Sequence, residues 1–72
     1  MSKIIEKQTV LLAKILKETR LERGLSQQAL ADKSGIDRKT VNRIENNHYS
    51  PNMETFLSLC AALKVKPTLF FK

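Results

Sequence analysis

Arg38, Lys39, Asn42 and Arg43 lie close together in the chain and carry donor groups that can pair with the edges of nucleobases. An arginine can donate two parallel bonds to guanine O6 and N7, and an asparagine can pair with adenine N6 and N7. Lys39 and Arg43 are four positions apart, so on a helix they share a face, with Asn42 beside them. Val41 and Ile44, three apart, give the same segment an apolar face. A short helix of this kind, cationic on one side and oily on the other, suits the major groove of a duplex. The alternative is a charged face that only meets water, the usual fate of surface charge.

The neighbouring residues decide how that helix would be held. Asp37 caps its start, and Ile36 and Val41 flank the cap as a hydrophobic staple. Gly35 suits the left-handed position just past the end of a preceding helix. That preceding helix starts at Ser26, whose oxygen can accept a free backbone amide, with Leu25 and Leu30 as a second staple. Residues 26–46 therefore read as two short helices joined by a tight corner.

The pattern Gly24-Leu25-Ser26-Gln27, Leu30-Ala31, Gly35-Ile36, Val41, Ile44-Glu45-Asn46 resembles the helix-turn-helix family of the lambda-type repressors and Cro proteins. Restriction–modification controller proteins and many small bacterial regulators of the XRE-like kind are part of that family. The resemblance runs from about Leu16 to Phe71. It implies an all-α, compact, five-helix lambda-repressor-like domain that binds double-stranded DNA as a homodimer. It also implies that Arg38, Lys39, Asn42 and Arg43 face the bases, and that Arg20 pairs with Glu45 to tie the first helix to the third. Gln27 would contact the DNA backbone or brace the reading helix. Two positions depart from the family pattern. Ala29 stands where a capping-box glutamate is common, and Asn47 where many members carry glycine. Asparagine tolerates the left-handed conformation better than most residues, so the helix can still stop there.

Around this unit the rest of the chain reads in order. Residues Ser2 to Arg23 form one helix with Leu12 and Leu16 as its core stripe, and Gly24 ends it. Ile4, Ile5 and Leu11 fit that stripe poorly; extending the helix, packing on the last helix and meeting a second subunit are all open to them. Thr40 can assist the cap or touch a phosphate or a thymine methyl. In the loop after the third helix, Asn46, Asn47, Tyr49 and Ser50 offer donors of the kind that grip phosphates, and Asn46, Asn47 and Tyr49 with Gln27 and Thr40 form the candidate phosphate set. His48 has no partner ligands near it and reads as a surface residue. Asn52 caps a fourth helix from Met53 to Leu63, and Pro67 opens a last short helix through Leu69, Phe70 and Phe71. Adjacent phenylalanines cannot both face one core, so this end is the candidate dimer interface, the alternative being a frayed last turn.

Composition narrows the function classes. Seventy-two residues make a single domain, 1–72, with a small core that dimerisation would support. Thirteen Lys and Arg against seven Asp and Glu give +6, which favours a polyanionic partner. The single cysteine, Cys60, cannot form an internal disulfide, has no metal-ligand neighbours, and sits in an apolar run as a core residue. Phosphate loops and metal spacings are lacking, so no cofactor, no small-molecule substrate and no enzymatic activity are expected. There is no apolar run of about 18 residues and no signal pattern, which points to a cytoplasmic protein without a membrane partner. Two functions remain: a sequence-specific transcriptional regulator on a near-palindromic operator, and an antitoxin-type DNA-binding protein whose main task is holding a toxin or other protein. The second is weakened by the absence of a long tail beyond the domain.

Overall fold

The computed structural model describes the backbone of residues 3–71 and the side chains of residues 7–71. Within them the chain forms α1 (Lys3–Glu22), α2 (Gln27–Ser34), α3 (Arg38–Glu45) and α4 (Met53–Leu63), then a 3-10 turn over Pro67–Phe70. The fold class is all-helical, with four α-helices rather than five. The fifth element stays a 3-10 turn because it is one turn long: Leu69 N–H donates to Lys66 O at 3.0 Å and Phe71 N–H to Thr68 O at 3.2 Å, both three residues back. Ser2 and the side chains of Ile4 and Ile5 lie outside the described residues.

Each short helix begins on a side-chain cap. Ala29 N–H donates to Ser26 Oγ at 3.0 Å, Thr40 N–H to Asp37 Oδ1 at 2.7 Å, and Thr55 N–H to Asn52 Oδ1 at 2.8 Å. The helix ends share one closure. Gly24, Gly35, Asn47 and Lys64 all have positive φ, between 58° and 74°. The amide after each reaches back five residues: Leu25 to Arg20 O, Ile36 to Ala31 O, His48 to Arg43 O and Val65 to Cys60 O, at 2.8–3.1 Å. The chain thus reverses within about a residue at every helix end, which keeps α2 and α3 at a fixed corner.

The core forms where the helices cross. α2 packs on both α3 and α4, while α1 lies across α3 and the 3-10 turn. Leu16, Leu30, Val41, Ile44, Leu59, Leu63 and Phe70 are fully buried there, with Ala31, Phe56 and Cys60 beside them. Leu12 and Ile15 extend α1 onto this core, and the staple residues Leu25 and Ile36 close its edge. Burial pushes the Cys60 thiol up from its ordinary pKa, as suits an inert core residue.

Phe70 departs from its expected place in a dimer interface. Its ring is 1% exposed and stands edge-on to Phe56, with centroids 5.2 Å apart. Burying such a ring stabilises the monomer by about 1.5–3 kcal/mol, so the fold retains it. Leu69 and Phe71 remain exposed, and Phe71 also meets Phe56 edge-on, with ring centroids 5.8 Å apart.

Candidate nucleic-acid interface

The geometry of α3 divides its side chains into three stripes. Val41 and Ile44 point into the core and are buried. Lys39, Arg43 and Asn46, spaced four and three apart, run along the side opposite them and are exposed. Arg38, Asn42 and Glu45 form a third stripe along one flank, and its burial rises from exposed Arg38 through half-buried Asn42 to buried Glu45. The cationic face expected from the sequence is therefore present, but Asn42 lies on its edge rather than at its centre.

The flank stripe is held by polar bonds from two other helices. Arg20 of α1 donates from Nε to Glu45 Oε2 at 2.6 Å and from Nη2 to Glu45 Oε1 at 3.0 Å. Its Nη1 donates to Leu25 O at 2.8 Å. The Glu45 hydrogen bond raises the Arg20 pKa above its ordinary value, against the opposing effect of burial. Gln27, at the start of α2, donates to Glu45 Oε1 at 3.1 Å and accepts from Asn42 Nδ2 at 3.3 Å. Asn46 Nδ2 donates to Asn42 Oδ1 at 3.2 Å and to Asn42 O at 3.0 Å. One connected chain of bonds thus runs Arg20, Glu45, Gln27, Asn42, Asn46. Arg23 adds a separate tie, donating from Nε to Leu63 O at 3.0 Å.

The start of α3 is polarised for the same purpose. Hydrogen bonds from Thr40, side chain first and then amide, hold the Asp37 carboxyl below the usual carboxylate range, helped by Lys39 and Arg43. A negative cap at a helix N-terminus is favourable in itself. It leaves Arg38, Lys39 and Arg43 outside the cap. Among the described residues, no hydrogen bond or ion pair within the chain holds these three side chains.

The candidate phosphate residues are spread around this face. Asn46, Asn47 and Tyr49 are exposed in the loop after α3, Thr40 is half-buried at its first turn, and Gln27 is half-buried against α3. Tyr49 and Asn47 also line a shallow, mainly apolar groove with Thr9, Leu12, Ile44, Ser50 and Pro51. The sequence reading missed the engagement of Asn42 with Gln27. A signal for it was available, because Asn42 is three positions before Glu45 and so shares its stripe. Among the described residues no helix is long and apolar enough to cross a membrane.

Comparison with known proteins agrees with this geometry. The family model HTH_3: Helix-turn-helix matches residues 16–70. The chain is similar to the restriction–modification controller protein C.AhdI from Aeromonas hydrophila, at 35% identity and a TM-score of 0.84, over 88% of this chain and 96% of that one. It is similar also to the controller protein C.Esp1396I, seen as a tetramer with its natural 35 base-pair operator, at 30% identity and a TM-score of 0.81 over 89% and 84% of the two chains. Antitoxin HipB of Escherichia coli O6:H1 is 34% identical over 58 residues, 81% of this chain but only 62% of HipB. A cationic helix held at a closed corner, and relatives that share both its sequence and its shape, make this chain a member of the XRE-type helix-turn-helix family of DNA-binding regulators.

Proposed function

We propose that residues 1–72 are one DNA-binding domain that acts as a homodimeric transcriptional regulator in the cytoplasm, with α3 in the major groove of a near-palindromic operator. The observation that carries this reading is the outward stripe of α3. Arg38, Lys39 and Arg43 are exposed and unheld, while the opposite side of the same helix is locked into the core. Those three side chains read bases, each good contact discriminating by about 1–3 kcal/mol. Thr40, Asn46, Asn47 and Tyr49 contact phosphates and set the register, and Gln27 does so from the start of α2. One such helix reads only a few base pairs. Two copies related by a two-fold axis bind half-sites about 34 Å apart, one helical turn. Exposed Met53 and Leu57 on α4, with Leu69 and Phe71, supply apolar surface for that pairing. The operator-bound tetramer of C.Esp1396I supports assembly on DNA in a relative of the same shape.

Selection from random duplex DNA tests the proposal. A near-palindromic site with half-sites one turn apart is expected, bound with an affinity that falls steeply as salt rises. Equal, weak binding to every sequence overturns it. The similarity to HipB supports a second reading, an antitoxin-type protein whose main role is to hold another protein. Stoichiometric co-purification of one protein from the native host, together with DNA binding that depends on it, favours that reading instead.

A further inference from the structure

We propose that Asn42 is a positioning residue of the reading helix and not one of its base readers, an inference that rests on the reading of α3 given above. Its type and place in α3 suggest an adenine contact, yet both ends of its amide are already engaged inside the chain. Nδ2 donates to Gln27 Oε1 at 3.3 Å, and Oδ1 accepts from Asn46 Nδ2 at 3.2 Å. Pairing with adenine uses the same two groups, the donor to N7 and the acceptor for N6–H. Nδ2 keeps a second N–H and Oδ1 a second lone pair, so the internal bonds act by holding the amide on the flank of α3 against Gln27, and a base away from that flank could be read only by breaking them.

What it does in place is mechanical. Gln27 is fixed at its other end by Glu45, and Glu45 is fixed by Arg20. Glu45 lies in the last turn of α3, so Arg20 and Gln27 already hold that end, and Asn42 gives the helix a second anchor to α2 about one turn earlier. The Asn42–Asn46 bond extends the seam to Asn46, which caps the end of α3. Arg38 lies on the same stripe one turn earlier, and Lys39 and Arg43 lie on the adjoining stripe. A rotation of α3 about its own axis would move all three cations together, and the Gln27–Asn42 bond opposes that rotation. Its loss affects every contact of α3 at once, so it weakens binding without changing which base is preferred.

The test uses the operator obtained by selection, with each adenine replaced in turn by 7-deazaadenine, which lacks N7. Affinities of wild type, Asn42→Ala, Gln27→Ala and the double variant are measured well below the melting transition of each, so that loss of folded protein does not contribute. Asn42→Ala is expected to bind every operator version about three- to tenfold more weakly, the worth of one net hydrogen bond, and Gln27→Ala more weakly still, because it also removes the bond to Glu45 and the proposed phosphate contact. The double variant is expected to match Gln27→Ala, since without Gln27 the Asn42 side chain has no link left to lose, rather than to show the product of the two losses. Each deaza substitution is expected to cost Asn42→Ala the same factor as wild type. One adenine whose substitution weakens wild type but not Asn42→Ala overturns the inference and leaves the reading of α3 standing. So do single variants with unchanged affinity, or a double variant that shows the product of the two losses. A selection that returns no preferred sequence overturns the reading of α3, and this inference with it.

Discussion

Arg20 and Glu45, 25 residues apart in sequence, meet in a forked ion pair at 2.6 and 3.0 Å. Their side chains retain 8% and 2% of their exposure. Water therefore does little to screen the pair, and neither partner tolerates being left alone. Glu45→Ala is expected to lower unfolding free energy by about 3–5 kcal/mol, because it strands a buried guanidinium. Arg20→Met with Glu45→Leu is expected to recover most of that loss, since an apolar pair of similar volume avoids the cost of desolvation. Urea denaturation of the single and double variants checks both outcomes.

Arg38→Ala and Arg43→Ala are expected to act on recognition and not on the fold. Both side chains are exposed and make no hydrogen bond or ion pair among the described residues. Each substitution is expected to relax preference at one operator position by about 1–3 kcal/mol, with melting temperatures close to wild type. Repeating the selection with each variant reads the change directly. Unaltered preferences in both would remove α3 from the reading role.

Acid is expected to weaken the start of α3 through Asp37. Its carboxyl titrates below the usual carboxylate range in the folded state because the anion accepts hydrogen bonds from Thr40. A lowered folded-state pKa means that the contribution is complete above the unfolded-state value and is lost as pH falls through the folded-state value. Asp37→Asn keeps an acceptor at the cap without the titration. Stability curves for wild type and Asp37→Asn are therefore expected to converge as pH drops from neutrality to strong acid, when compared by denaturation at each pH.

The two adjacent phenylalanines are expected to fail differently. Phe70→Ala empties a fully buried site against Phe56 and is expected to cost about 3–5 kcal/mol, a large share of the stability of a small domain. Phe71→Ser alters a ring that is 55% exposed and is expected to change stability far less while weakening self-association. Chemical denaturation and sedimentation equilibrium separate the two effects.

Lys64 closes α4 in the left-handed conformation, with φ 58°. Left-handed backbone is costly for a residue with a Cβ, and glycine avoids that cost while losing more chain entropy on folding. The two effects leave Lys64→Gly more stable by about 0.5–1 kcal/mol, which calorimetry would show as a melting temperature several degrees higher.

The parts of the fold that were legible in the sequence are those set by neighbours in the chain. Ser26, Asp37 and Asn52 cap because each oxygen reaches an amide three residues on, and Gly35 turns the corner by its own backbone freedom. The apolar spacing of Val41 and Ile44 likewise needs only helical periodicity to point inward. The outcome at the end of the chain was not legible in this way. Phe70 and Phe71 both meet Phe56, and which of the two is buried there depends on where α1 and α4 have already packed. Asn42 lies between these cases. Its stripe follows from counting to Glu45, but its partner is a glutamine from another helix.

Because the outward stripe of α3 is separate from the polar seam and the oily core behind it, its side chains can vary while the scaffold stays as it is. Exchanging Lys39 and Arg43 for other side chains removes no buried ring, no ion pair and no hydrogen bond of the Asp37 cap, only the support their charge gives its carboxylate. If α3 reads bases as proposed, a few substitutions on this stripe are expected to retarget the same framework to a new operator without refolding it.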